Sequence, residues 1–234
     1  MNPLVVSYLR QQKELGFRTL YIPGQPGPAP RNEPETRAPE GRAEALAGLY
    51  EESKGCRLCG LSGTRKQYVF GQGDPHARLL FIGEAPGADE DEQGLAFVGR
   101  AGQLLTKIIE NGMGLKRNEV YIANVLKCRP PGNREPLPEE REKCTPVLLE
   151  QIRIIGPEFI CCLGRTAGRF LLKLPETTPL GEMRRRFYEF MGARACVTYH
   201  PSALLQHPEW KSGAWEDIKL LMKAMGLAIP AHFK

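Results

Sequence analysis

The chain has 234 residues, 41% of them hydrophobic, which suits one α/β domain of ordinary size with an appendage. A net charge of +5, from 32 Lys+Arg against 27 Asp+Glu, is a mild basic excess that fits a polyanionic partner and a plain soluble enzyme equally well. No run approaches the roughly 20 apolar residues of a membrane span, and residues 1–16 lack the apolar core of a signal peptide, so a cytoplasmic protein is expected. In that reducing setting its cysteines read as metal or cluster ligands plus buried thiols, not as disulfides.

Residues 1–50 differ from the rest. Leu4, Val5, Tyr8 and Leu9 fit one face of a short helix, and Pro23, Pro26, Pro28, Pro30, Pro34 and Pro39 then mark an extended, poorly ordered linker. This extension is either a tether that docks a protein partner or a dispensable tail. A short helix over 43–52 leads into Cys56. Four apolar, strand-like runs follow, at 79–82, 120–123, 159–163 and 195–199, ending at Gly83, Asn124, Gly164 and His200. Helical patterns fall between them, near 102–110, 138–155 and 166–172. A last helix over 214–225 sets Trp215, Ile218, Met222 and Met225 on one face. Residues 51–234 are therefore expected to form a three-layer α/β domain, a central four-stranded, mostly parallel sheet flanked by helices. Ligands of such sheets bind beyond the carboxyl ends of the strands. That rule brings 83–87, Asn124 and 200–202 to one cleft.

Cys56 and Cys59 form a C-x-x-C pair, and Cys128 and Cys144 complete a possible set of four in loop-like surroundings. Four thiolates suit a tetrahedral zinc or a [4Fe–4S] cluster, and their spacing leaves both open. Cys161, Cys162 and Cys196 lie inside strand-like runs and read as small buried hydrophobes.

The acidic loop 83–92 is no phosphate cradle, since it lacks Gly-Lys-Ser/Thr and its carboxylates repel anions. Asp89, Asp91 and Glu92 suit the start of a helix, whereas Glu84, directly at the strand end, suits catalysis. Phe97, flanked by glycines, is a candidate to stack on a base. Lys127, Arg129 and Arg134 read as a solvated loop or as phosphate contacts. His200 joins Glu84 and Asn124 at neighbouring strand ends.

In this order, Gly83-Glu84-Ala85-Pro86-Gly87, the segment from Phe97 to Gly102, the segment from Asn124 to Pro131 with its Lys-Cys-Arg-Pro-Pro, and His200-Pro201-Ser202-Ala203-Leu204-Leu205 resemble the type-4 uracil-DNA glycosylases over about residues 56–225. The resemblance implies the uracil-DNA glycosylase fold, a [4Fe–4S] cluster on Cys56, Cys59, Cys128 and Cys144, and a monomer that flips uracil out of DNA and hydrolyses its glycosidic bond in base excision repair. Phe97 would stack on the ring and Asn124 would read the O4/N3 edge, in a pocket lined by Gly83, Glu84 and Ala85. His200 would stabilise charge on uracil O2 and Glu84 would direct the attacking water. Arg134 and Ser202 would contact DNA, and Leu204 and Leu205 would wedge into the minor groove. Better-known relatives carry Asp where this chain has Ala85, which leaves Glu90 and Asp89 as further candidates for the acid. They also carry a bulky aromatic at the position of Gly87, so Glu90 is the candidate to exclude thymine. Two other readings compete: an iron–sulfur protein that binds nucleic acid without catalysis, and a glycosylase for other deaminated or mismatched bases.

Overall fold

Continuous apolar runs, rather than alternating ones, decide the architecture, because a strand buried on both faces must sit inside a covered parallel sheet. The computed structural model describes residues 41–230. The chain divides into two units, Met1–Thr36 and Arg37–Lys234. The expected helix face around Tyr8 and the proline-rich linker lie outside the described residues.

The sheet contains β1 (Gln72–Gly73), β2 (Leu79–Gly83), β3 (Tyr121–Asn124), β4 (Phe159–Leu163), β5 (Tyr188–Phe190) and β6 (Ala193–Thr198). Their spatial order is β1-β3-β2-β4-β6-β5. The four strands expected from sequence form the parallel centre, β3-β2-β4-β6. Two short antiparallel strands extend it to six. The alternation of long runs did not reveal them. β5 is joined to β6 by a two-residue turn in which Met191 (φ 50°) and Gly192 (φ 80°) are both left-handed, a turn that matches the twist of a hairpin.

Side chains alternate across the sheet. Leu80, Ile82, Ile160, Cys162 and Val197 face one layer with Leu148, Ile152 and Ile155. Leu79, Phe81, Cys161 and Cys196 face the other with Leu105, Ile109, Ile218, Leu221 and Met222. Each fully buried aliphatic or aromatic side chain contributes about 1.5–3 kcal/mol. The helices are α1 (Arg42–Ser53), α2 (Ala88–Gln93), α3 (Arg100–Lys107), α4 (Pro138–Ile155), α5 (Arg165–Leu171), α6 (Leu180–Met183), α7 (Pro201–Gln206) and α8 (Lys211–Met225). Helix α4 matches its expected span. Pro138 opens it, the Glu140 carboxylate accepts from the Leu137 N–H at 2.8 Å, and left-handed Gly156 ends it. Helix α1 crosses the expected boundary at residue 50 and is tied to the domain by Arg42, whose guanidinium donates to the Ile155 carbonyl at 2.7 Å. No helix among the described residues is long and apolar enough to cross a membrane.

Candidate active site

The carboxyl ends of the four parallel strands open on one cleft of about 340 Å³. Glu84 and Ala85 follow β2, Asn124 ends β3, Gly164 and Arg165 follow β4, and His200 and Ser202 follow β6; all line this cleft, with Phe97 and Arg134. The strand-end rule therefore brought together residues far apart in sequence.

Gly83 makes the centre of the site possible. A Cβ there would lie 2.4 Å from Asn124 Oδ1 and 2.5 Å from the Phe97 ring. Phe97 itself has φ 53°, a left-handed backbone costly for a bulky residue. Two features hold it. Arg117 donates to the Ala96 and Phe97 carbonyls at 2.8 and 2.9 Å. Below, Gly102 lets the helix pass so close that a Cβ would sit 1.9 Å from the Phe97 carbonyl oxygen. The ring is thereby fixed 5.6 Å, centroid to centroid, from the His200 imidazole. Arg117 went unnoticed in the sequence, because Lys-Arg-Asn-Glu reads as an ordinary exposed turn.

Asn124 is buried, and among the described residues its Oδ1 has no hydrogen-bond partner. An orphaned buried acceptor costs about 1–3 kcal/mol until something donates to it. Across the cleft, His200 Nδ1 accepts from the Ser202 N–H at 3.2 Å and lies 2.7 Å from Ser202 Oγ. An amide can only donate, so the ring proton resides on Nε2. Burial pushes the His200 pKa down to about 4, which keeps the imidazole neutral at physiological pH. Burial raises the Glu84 carboxyl from its ordinary value, and a hydrogen bond with Thr166 pulls it partly back. Thr166 and Arg165 were missed in the sequence, although they follow a strand end and the same rule points to them.

The other carboxylates of the acidic loop behave differently. Glu90 Oε1 accepts from the Val98 and Gly99 N–H groups at 2.8 and 2.9 Å, and Oε2 accepts from Gly87 N–H at 3.0 Å. It braces the Phe97 loop against the β2 loop. Asp89 is exposed and outside the cleft lining.

Two expectations need correction, and a third residue is found with a partner. Leu204 is 2% exposed and packs inside, so it cannot enter a groove, whereas Leu205 is 37% exposed. A helical step of about 100° per residue turns the two neighbours to different faces of α7. Lys127 is neither a solvated loop residue nor a phosphate contact: it is fully buried, with Nζ donating to the Asn124 carbonyl at 2.8 Å and to Gln151 Oε1 at 2.6 Å. Arg134 reaches the cleft rim but is already forked onto Glu140 at 2.6 and 2.9 Å.

The cysteines separate as their contexts suggested. Cys161, Cys162 and Cys196 are buried in β4 and β6. Cys59, Cys128 and Cys144 pack around Leu61 and Leu126 in one small group, and Cys56 bears electrostatically on Cys128 and Cys144. Arg65 donates to Cys128 Sγ at 3.1 Å, and the Lys127 N–H donates to Cys144 Sγ at 3.3 Å. Burial pushes the Cys144 thiol up to about 11. Among the described residues no group of three or more His, Cys, Asp or Glu is arranged to hold a single metal ion.

A half-buried carboxylate and a neutral imidazole, set around an aromatic face and an unsatisfied carboxamide, suit a hydrolase that grips a flat, hydrogen-bonding heterocycle. The model of the uracil DNA glycosylase superfamily matches residues 70–219. A type-4 uracil-DNA glycosylase of Archaeoglobus fulgidus is 41% identical over 196 residues, 81% of this chain and 98% of the relative. One from Thermotoga maritima is 41% identical over 167 residues, 71% of this chain and 86% of the relative. A type-5 enzyme of Pyrobaculum aerophilum is 32% identical over 146 residues, 56% of this chain and 64% of the relative. The chain belongs to the uracil-DNA glycosylase superfamily, with the type-4 enzymes. It is a DNA glycosylase, a hydrolase of N-glycosyl bonds that serves DNA repair.

Proposed function

We propose that this cleft receives a uracil extruded from DNA and that Glu84, Phe97, Asn124 and His200 divide the work of cutting it off. The observation that carries this reading is the orphaned Oδ1 of buried Asn124 beside the Phe97 ring. Uracil N3–H would satisfy that oxygen while the amide nitrogen donates to O4. Cytosine offers the opposite pattern, an acceptor at N3 and an amine at C4, so the same pocket leaves two groups mismatched.

The bond to break joins N1 of uracil to C1′ of deoxyribose. As it lengthens, negative charge collects on O2 and positive charge on the sugar. His200 meets O2 with its Nε2 proton. A neutral donor matches an oxyanion without having first to be desolvated as a cation. Glu84 orients a water towards C1′, accepts its proton and offsets the sugar's charge. Burial, which disfavours the ionised carboxylate, makes it a better base at that moment.

Glu90 Oε2 fills the space a side chain at Gly87 would need, 2.7 Å from an ideal Cβ. A thymine methyl would meet this braced carboxylate. Leu205 and Ser202 lie on the exposed side of α7, suited to the opened duplex. Arg134 would reach a phosphate by sharing or leaving Glu140. For residues 1–50 composition alone leaves two readings, a tether that docks a protein partner and, the one we favour, a dispensable tail.

Cys56, Cys59, Cys128 and Cys144 would hold a [4Fe–4S] cluster. The donor chemistry fits: four thiols, two of them already accepting hydrogen bonds, Cys128 from the Arg65 guanidinium and Cys144 from the Lys127 main-chain N–H. Bound there, the cluster would supply negative charge and a tie between the turn after α1, the loop after β3 and α4; hydrolysis asks it for no electrons.

Oligonucleotides carrying U, T, hypoxanthine or only normal bases test the function. Release confined to U is expected. Release of hypoxanthine at a matching rate would favour the broader glycosylase, and DNA binding with no release would leave only a binding protein. About four irons per chain with broad visible absorbance are expected; a colourless, zinc-loaded, fully active protein would refute the cluster.

A further inference from the structure

A buried cation needs a counter-charge, and Lys127 has none among the ordinary candidates. Its side chain is wholly inaccessible. Its Nζ donates to two neutral oxygens, the Asn124 carbonyl at 2.8 Å and Gln151 Oε1 at 2.6 Å. Gln151 is itself fixed, donating from Nε2 to the Phe70 carbonyl at 3.0 Å. Among the described residues no carboxylate pairs with Lys127. Lys127 directly precedes Cys128 in the chain. Its own backbone N–H already lies on Cys144 Sγ at 3.3 Å. One residue thus faces the cysteine group with its main chain and the end of β3 with its ammonium.

We propose that Lys127 is a positioning residue that ties the four-cysteine centre to base recognition, its ammonium answering the charge of the loaded centre while holding the main-chain carbonyl of Asn124. This rests on the iron–sulfur reading above. An iron–sulfur centre with four thiolates brings net negative charge to this corner, the feature otherwise missing around the ammonium. The carbonyl it grips belongs to the residue whose Oδ1 lacks a partner, so the register of Asn124 in the pocket depends on a contact anchored at the cysteines. Loss of the centre would then loosen base reading without touching any residue that contacts DNA.

Two variants separate the halves. Lys127→Met removes both charge and donor; Lys127→Gln removes the charge and keeps a donor for the Asn124 carbonyl. Iron content of the wild-type holoprotein is measured first. Then come the rate of cluster loss to a chelator, inhibition by free uracil, the preference for uracil over cytosine, affinity for abasic-site DNA, and the melting temperature. In both variants cluster loss should accelerate about tenfold or more, and in Lys127→Met uracil inhibition should weaken about tenfold, the equivalent of one good hydrogen bond. Lys127→Gln should stay within about threefold of wild type for uracil, with DNA affinity unchanged in both. A merely structural role would lower the melting temperature alone and leave cluster loss and uracil inhibition at wild-type values, which would overturn the inference. If Lys127→Met does not fold, wild-type cluster loss in Lys127→Gln overturns it equally. Iron-free wild-type protein would be seen before any variant is compared, and would overturn the cluster reading and this inference together.

Discussion

Gly83→Ala adds one methyl group, yet the geometry expects it to disable the pocket. The new Cβ would lie 2.5 Å from the Phe97 ring and 2.4 Å from Asn124 Oδ1. Ordinary van der Waals contact is about 3.5 Å, so one or both side chains must retreat by about 1 Å. Neither retreats easily. Arg117 pins the Phe97 backbone from one side and Gly102 from the other, and Asn124 ends a central strand. Overpacking of this kind costs about 1–3 kcal/mol of stability. A 1 Å misplacement around a reacting group costs about 10²-fold in rate. The variant should therefore fold, melt a few degrees lower and excise uracil with kcat/KM reduced about 10²-fold, while binding abasic-site DNA normally. Steady-state cleavage of a uracil oligonucleotide, inhibition by free uracil and a DNA titration give the three readings. Cleavage within about threefold of wild type would refute the claim that the Gly83–Phe97–Asn124 contact defines the pocket.

The pH profile follows from two opposite shifts of groups that burial discharges. His200 titrates at about 4 and is neutral throughout the working range, while Glu84 titrates above its ordinary value and must be ionised to act. The acid limb of kcat should therefore belong to Glu84: Glu84→Gln flattens it, and His200→Asn lowers the plateau without moving it. A limb between pH 6 and 7 that vanishes in His200→Asn would contradict this assignment. The same shift has a stability sign. A carboxyl whose folded pKa is raised costs the native state at all pH values above that pKa, so Glu84→Gln should raise the melting temperature at pH 7.5, and the gain should fade as pH falls through the Glu84 pKa. Glu90→Gln should instead lower the melting temperature, since it weakens three backbone hydrogen bonds. Asn124→Asp should erode the preference for uracil over cytosine by about 10- to 100-fold, worth the 1–3 kcal/mol of a mismatched buried group, in a competition assay with both bases. Leu205→Ala should slow excision from duplex more than from single-stranded DNA at unchanged stability, whereas Leu204→Ala should cost about 2–5 kcal/mol in thermal or denaturant unfolding.

The parallel centre was legible in the sequence because its strands are apolar throughout, and the site because strand ends of such a sheet must converge. Glu84, Asn124 and His200 could be placed together on that rule alone. What escaped was whatever depends on one long side chain's path. Lys127 stands between an apolar run and Cys128-Arg129, and composition there suggests a wet basic loop; only the packing of α4 against β3, which delivers Gln151, turns the ammonium inward. Leu204 and Leu205 are indistinguishable by type, and the rotation of a six-residue helix decides which is buried. The edge strands are too short to carry a pattern: β1 spans two residues and β5 three.

The proposed roles divide the acidic loop into a brace, Glu90, and a base, Glu84. Glu84 and Glu90 are six positions apart and both line the cleft, so residue type cannot rank them. Hydrogen-bond supply can. Glu90 receives three backbone N–H groups, which occupy the lone pairs a base would need and bind the carboxylate to the loops on either side. Among the described residues Glu84 receives no backbone N–H; burial works against its charge, and the Thr166 hydroxyl pulls the other way only in part. A carboxylate so poorly compensated is the one that gains most from taking a proton off water or from standing beside a developing sugar cation. On our reading, Ala85 at the strand end is no loss of chemistry, since the neighbouring Glu84 offers a carboxylate suited to the proposed reaction.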